Sequence, residues 1–263
     1  MYTFSYERPA TVADAVRLAG SGAKVLAGGQ TLLASMKLRL SNPEQLADLS
    51  GIQELTGIRR DGDKLVIGAM TRHADVAASA EVQSAIPALA DLAAHIGDRQ
   101  VRAMGTLGGS LANNDPAACY PSAVLALGAT VQTNLRTIPA DAFLTGMFST
   151  ALADDELITA VHFPIPKRAA YMKFRHPASR FAMVGVFVAQ TNQGVRVAVT
   201  GAANCAFRHA ALETALNSSF TPQAAAAVTI DDTDLNSDIH ASMAYRANLI
   251  SVQAQRAVAK ALA

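Results

Sequence analysis

The chain has 263 residues, 51% of them hydrophobic, which allows one large or two modest domains around a substantial core. The formal net charge is +1 and no Lys/Arg cluster exceeds two neighbours, which argues against an electrostatic nucleic-acid binder. Cys119 and Cys205 are the only thiols, too few to ligate an iron–sulfur cluster, and no His/Cys cluster has zinc spacing, so any redox centre held here is expected to be organic.

Residues 11–19 open with Thr11 as an N-cap and Asp14 behind it, followed by apolar residues at helical spacing. Residues 24–27 form a short apolar run into Gly28-Gly29, a buried strand meeting a tight turn. Leu32, Leu33, Met36 and Leu40 give residues 31–40 a helical stripe; 45–49 read as a short strand, and 64–70 as another after the turn Asp61-Gly62-Asp63. Residues 87–97 are helical by pattern, with Gly97 as the stop. The stretch 105–116, GTLGGSLANNDP, reads as a loop that cannot be regular helix or central strand. Strands are expected at 129–133, 156–163, 171–176, 181–190 and 195–204, the last two flanking a hairpin turn at Asn192-Gln193-Gly194. From Phe207 the pattern is helical, ending in a long helix over 242–262. Pro164-Ile165-Pro166 marks the expected boundary between a domain at 1–166 and one at 167–263. The N-terminus lacks a basic segment followed by an apolar core and a cleavage site, and no apolar run approaches the roughly 20 residues that span a bilayer, so a cytoplasmic chain is expected.

Two segments carry the chemical signal, VLAGGQTLL over 25–33 and GTLGGSLAN over 105–113. Each places paired glycines beside hydroxyl residues: Gly28-Gly29 with Thr31, and Gly108-Gly109 between Thr106 and Ser110. Paired glycines let successive backbone N–H groups point into one concavity, as a diphosphate requires. Neither loop matches the Rossmann fingerprint or a P-loop, so the residues themselves indicate an anionic cofactor without naming it.

The segments AGGQTLLASMKLRL and HIGDRQVRAMGTLGGSLANNDPAACYPSAVLALGA closely resemble the FAD-binding medium subunits of molybdenum hydroxylases, carbon monoxide dehydrogenase among them, and the FAD domain of xanthine dehydrogenase. KFRHPASRFAMVGV and the terminal MAYRANLISVQAQRAVAKAL extend the resemblance over essentially the whole chain. It implies an α+β fold: a two-part FAD-binding domain of the PCMH (vanillyl-alcohol-oxidase-like) type, then a small C-terminal domain of antiparallel sheet and helices. It also implies noncovalent FAD held by two cradles, one of Leu26, Ala27, Gly28, Gly29, Gln30, Thr31 and Leu32, the other of Thr106, Leu107, Gly108, Gly109 and Ser110. Ile96 and Ile158 match apolar flavin contacts, Lys173 a cationic one, and Phe181 a position that is Tyr in the carbon monoxide dehydrogenase subunit. Cys119 departs from the pattern, because relatives often carry an FAD-binding Asp there; the contact is then either missing or supplied by Asp115.

The same resemblance implies partners. A large subunit would hold the molybdenum cofactor, a small one two-iron–two-sulfur clusters, and a dimer of heterotrimers would pass electrons through FAD to an external acceptor. Two other readings stay open from the sequence: a self-sufficient FAD-dependent oxidoreductase of related fold, and a noncatalytic assembly module. Asp98 with Arg102 is either a loop hydrogen-bond pair or functional, and His95 reads as structural.

Overall fold

The computed structural model describes residues 1–263. A small three-stranded parallel sheet comes first: β1 (Ser5–Glu7), helix α1 (Val12–Gly20), β2 (Lys24–Leu26), helix α2 (Leu32–Lys37) and β3 (Gln45–Asp48), in the order β1-β3-β2. The Thr11 hydroxyl accepts from the Asp14 N–H at 3.1 Å, the cap the sequence indicated. The second helix is shorter than its hydrophobic stripe. Arg39 turns left-handed at φ 61°, which leaves Leu38 and Leu40 exposed.

A second sheet follows, built from β4 (Ile58–Asp61), β5 (Lys64–Gly68), β6 (Thr130–Thr133), β7 (Thr137–Pro139) and β10 (Ile158–Pro164), antiparallel throughout in the order β4-β5-β10-β6-β7. Between its halves run helices α3 (His73–Ala78), α4 (Ala80–Ala85), α5 (Pro87–Ala94), α6 (Arg99–Met104), α7 (Leu107–Asn113) and α8 (Tyr120–Leu127), and after β7 come α9 (Ala140–Phe143) and a hairpin of β8 (Leu144–Gly146) and β9 (Ser149–Thr150). α7 corrects the expectation of an irregular stretch over 105–116. The Thr106 hydroxyl caps it by accepting from the Gly109 N–H at 3.1 Å, and tertiary hydrogen bonds hold its first turn, outweighing the glycine pair's poor helix propensity.

The last part is a four-stranded antiparallel meander, β11 (Arg168–Arg175), β12 (Ala182–Thr191), β13 (Gly194–Thr200) and β14 (Phe207–Arg208), followed by α10 (Ala210–Ser218), α11 (Pro222–Ala226) and the long α12 (Met243–Leu262). The turn at Asn192-Gln193 forms as expected, with Thr191 opposite Gly194. β13 is shorter than the expected strand over 195–204, and residue 207 begins a short strand before the helices start, because Phe207 and Arg208 close the sheet against β13. α12 lies across β11 and β12, and its Arg246 is buried with its guanidinium donating to the Met183 and Gly201 carbonyls, both at 2.9 Å, and to Asp238. No helix is long and apolar enough to cross a membrane.

The two sheets share packing across the Pro164–Pro166 break. Tyr171, Phe187, Ala189 and Ala198 of the meander belong to the same buried cluster as Leu65, Val131 and Phe163 of the preceding sheet. Arg196 of β13 reinforces this seam, donating to the Leu125 carbonyl and to both Asp141 oxygens, each at 2.8 Å. What this packing positions is the pair of glycine loops.

Candidate cofactor site

The two motifs, separated by 80 positions in sequence, lie against each other in space. A Cβ on Gly28 would fall 2.1 Å from the Met104 carbonyl oxygen and 2.7 Å from Gly105 Cα, and one on Gly109 would lie 3.4 Å from Ala27 Cβ. No side chain fits at position 28 while the loops remain in contact. Gly29 adopts φ 69°, the left-handed turn that carries β2 into α2.

The hydrogen bonding divides the two loops by task. In the first, the backbone N–H groups of six successive residues, Ala27 through Leu32, donate to nothing within the protein. These residues are half-buried or exposed at the surface, and the Gln30 amide folds back to donate to the Gly28 carbonyl at 3.2 Å. A run of free amide donors around a left-handed glycine suits a multiply charged anion.

The second loop is different, and corrects the expectation that it presents a row of amides. Its N–H groups are already engaged: Leu107 donates to the Thr71 carbonyl, Gly108 to that of Ala69, Gly109 to the Thr106 hydroxyl and Ser110 to the Thr106 carbonyl. Gly108 is tight against Ala69, whose oxygen would lie 2.8 Å from an added Cβ. The second loop therefore acts as the wall that supports the first, with the half-buried Ser110 hydroxyl available at its edge. Behind it, His73 is buried; its N–H donates to the Gly105 carbonyl and its ring stacks at a tilt on Tyr120 with centroids 5.3 Å apart. Burial, with Arg102 nearby, pushes the His73 pKa down to about 4, so it is a neutral imidazole at ordinary pH.

A third group gathers where α5, the start of α8 and β11 meet. The Lys173 ammonium donates to the His95 carbonyl at 2.7 Å, the Arg180 carbonyl at 3.2 Å and the Cys119 sulfur at 3.4 Å. Sequence reading found Lys173 and Cys119 separately and missed that they touch; nothing local in either segment signals it. Phe181 is half-exposed in the turn just before β12, not within the strand as expected, because the strand pairing starts at Ala182. Ile96 is half-buried against the core, and Ile158 lies inside it as the first residue of β10. Asp115 is committed to its own turn, accepting from the Ala117 N–H at 2.8 Å. Asp98 and Arg102 are not paired with each other. Asp98 caps α6 through the Val101 N–H, while Arg102 donates to the Ile96 and Gly97 carbonyls. His95 ends α5 with Nδ1 at 2.7 Å from the Asp91 carbonyl, a structural role.

Two other clefts, of about 460 and 540 Å³, lie away from the loops, one by Lys24 and Asp154–Asp155, the other in the C-terminal part around Phe207 and Leu235.

The model of the FAD binding domain in molybdopterin dehydrogenase matches residues 2–166. The chain belongs to this family. It is an oxidoreductase component whose own cofactor is FAD. Over nearly its whole length it is similar to the carbon monoxide dehydrogenase medium chain of Hydrogenophaga pseudoflava, 35% identical with 97% of this chain and 96% of the relative covered. The nicotine 6-hydroxylase medium subunit of Paenarthrobacter nicotinovorans is also 35% identical, with the same shares covered. Among solved structures, reconstituted CO dehydrogenase from Oligotropha carboxidovorans superposes with a TM-score of 0.91 at 31% identity, covering 99% of both chains. The α+β architecture expected from the sequence is the one these structures share.

Proposed function

We propose that this chain is the flavin-holding subunit of a molybdenum hydroxylase, and that the loop 26–32 holds the FAD diphosphate. The observation that carries this reading is the run of free amide donors from Ala27 to Leu32, pressed against a second glycine loop. When bound, FAD supplies the redox chemistry that links iron–sulfur clusters to an external acceptor. The chain's own residues bind and orient it. Leu26 anchors the strand end, Ala27 through Leu32 offer donors, and Thr106, Leu107, Gly108, Gly109 and Ser110 hold that loop in place. Ile96, Asp115, Cys119, Ile158, Lys173 and Phe181 are assigned to the rest of the flavin site, residues 1–166 to the flavin-binding domain and 167–263 to the C-terminal domain. Lys173 acts there mainly as a clip, since its three donors reach across to the preceding domain and to its own turn.

The partners in this reading are a large subunit with the molybdenum cofactor and a small iron–sulfur subunit, in a dimer of heterotrimers; the medium-chain names of the relatives support a larger and a smaller partner. The test is direct. Protein purified with its neighbours should be yellow, release FAD on denaturation, and co-purify with subunits containing molybdenum and iron. A colourless protein that FAD does not reconstitute would refute the flavin assignment, and a yellow protein that turns over a substrate alone would refute the partner assignment.

A further inference from the structure

Cys119, Lys173 and Tyr171 meet at the seam between α8 and β11, and their geometry points to chemistry apart from holding a flavin. Cys119 is buried, 5% exposed, at the start of α8. Tyr171 and Lys173 are two apart on β11 and so share one face of the strand. The Lys173 ammonium reaches the sulfur at 3.4 Å. The Tyr171 hydroxyl is buried beside the same sulfur and has no hydrogen-bond partner, and its ionisation is pushed well up, by burial first and by Cys119 second.

A buried hydroxyl donor without an acceptor is costly, and a thiol sulfur is only a weak acceptor. An oxygen atom placed on the sulfur would satisfy the orphaned hydroxyl and meet the ammonium charge at once. We propose that Cys119 is a site of two-electron oxidation by hydrogen peroxide to a sulfenic acid, whose oxygen accepts from Lys173 and Tyr171. The sulfur lone pair attacks one peroxide oxygen, the S–O bond forms and the O–O bond breaks. The other oxygen leaves as water carrying the thiol proton, so sulfur loses the two electrons that peroxide gains.

Cys205 provides an internal control. It is more exposed than Cys119, yet the only hydrogen-bond donor on its sulfur is the neutral Asn114 amide at 3.6 Å. Accessibility alone therefore favours oxidation of Cys205, and the donor pair favours Cys119. The experiment exposes the full-length protein to hydrogen peroxide, unfolds it in dimedone, and quantifies the dione adduct on each cysteine peptide by mass spectrometry. Cys119 should be labelled about tenfold faster than Cys205, the share one charge-assisted contact carries. Lys173→Met should bring it down to the Cys205 rate, while Lys173→Arg, which keeps the cation, retains the advantage. Tyr171→Phe should shorten the lifetime of the adduct-competent form. Labelling of Cys205 as fast as Cys119 would overturn the proposal, and so would equal Cys119 rates in wild type, Lys173→Met and Lys173→Arg. A Lys173→Met variant that fails to fold leaves the comparison of the two cysteines in wild type, and the Tyr171→Phe lifetime, as the deciding readouts.

Discussion

Gly28→Ala probes the contact between the two loops. The added methyl would sit 2.1 Å from the Met104 oxygen, 2.8 Å from its carbonyl carbon and 2.7 Å from Gly105 Cα. All three are backbone atoms, so no flexible side chain can swing aside. Ordinary Cβ contact begins near 3.4 Å, which requires the loops to part by about 1 Å, an overpacking that costs ~1–3 kcal/mol. For a chain of this size, ~2 kcal/mol corresponds to a melting temperature lower by about 4–8 °C. Separating the loops also displaces the amides of Ala27 through Leu32 from the wall that orients them, so FAD affinity should fall by about tenfold or more, as expected when one or more charge-assisted hydrogen bonds are lost. The assay is a thermal melt of the FAD-free chain followed by FAD titration monitored by flavin fluorescence. Gly146→Ala is the control, because nothing lies within 4 Å of its added Cβ, and it should change neither quantity. Wild-type melting and FAD affinity in Gly28→Ala would show that the loops do not depend on each other.

Three further outcomes follow from the charged and titratable groups. The folded pKa of His73, about 4, lies below its ordinary 6.5; the unfolded chain takes up the proton first, so stability is full above 6.5 and falls as pH drops toward 4, by roughly 3 kcal/mol. Melting curves across that window should show the decline, and His73→Phe should flatten it. The buried Glu156 accepts from Arg136 at 2.9 Å, which, against the opposing effect of burial, holds its pKa down to about 2 from 4.5. Its stabilisation is present above 4.5 and lost as pH falls through about 2, and Arg136→Met should lower the melting temperature at neutral pH and flatten that acid-side decline. Arg196→Met removes three hydrogen bonds across the seam between β13 and the preceding domain and should destabilise by ~2 kcal/mol in a denaturant melt, with added salt restoring none of it.

The sequence shows this site unevenly, for physical reasons. Gly28-Gly29 was readable because a strand running into a left-handed turn has a local composition. The hairpin at Asn192-Gln193 and the helix over 243–262 were readable for the same reason, their patterns being complete within a few turns of chain. α7 was not readable: two adjacent glycines argue against a helix, and the bonds that hold it come from Ala69 and Thr71, 35 or more positions earlier. The short α3, α4 and α6 lack a full amphipathic repeat of their own, so they depend on packing, α3 and α4 against α5 and α6 against α3. The Lys173–Cys119 contact spans 54 positions and leaves no periodic trace in either segment.

The physical reading of the glycine loops changes what their pairing means. Two hydroxyl-flanked glycine pairs suggested two equivalent phosphate cradles, yet the structure gives the free amides to one and the supporting bonds to the other. Glycine serves a different need in each: conformational freedom and donor access at 28–29, close approach to Ala69 and Ala27 at 108–109. Substitution in the second loop should therefore act through the first. A bulky residue at Gly109 would meet Thr106 Oγ1 at 2.9 Å and Ala27 Cβ at 3.4 Å before it met any ligand. Gly109→Val should then lower stability and FAD retention together, whereas Gln30→Ala, which removes only a side-chain bond to the Gly28 carbonyl, should weaken FAD binding with the melting temperature unchanged. Loss of FAD in Gly109→Val with full thermal stability would mean that the second loop contacts the cofactor itself.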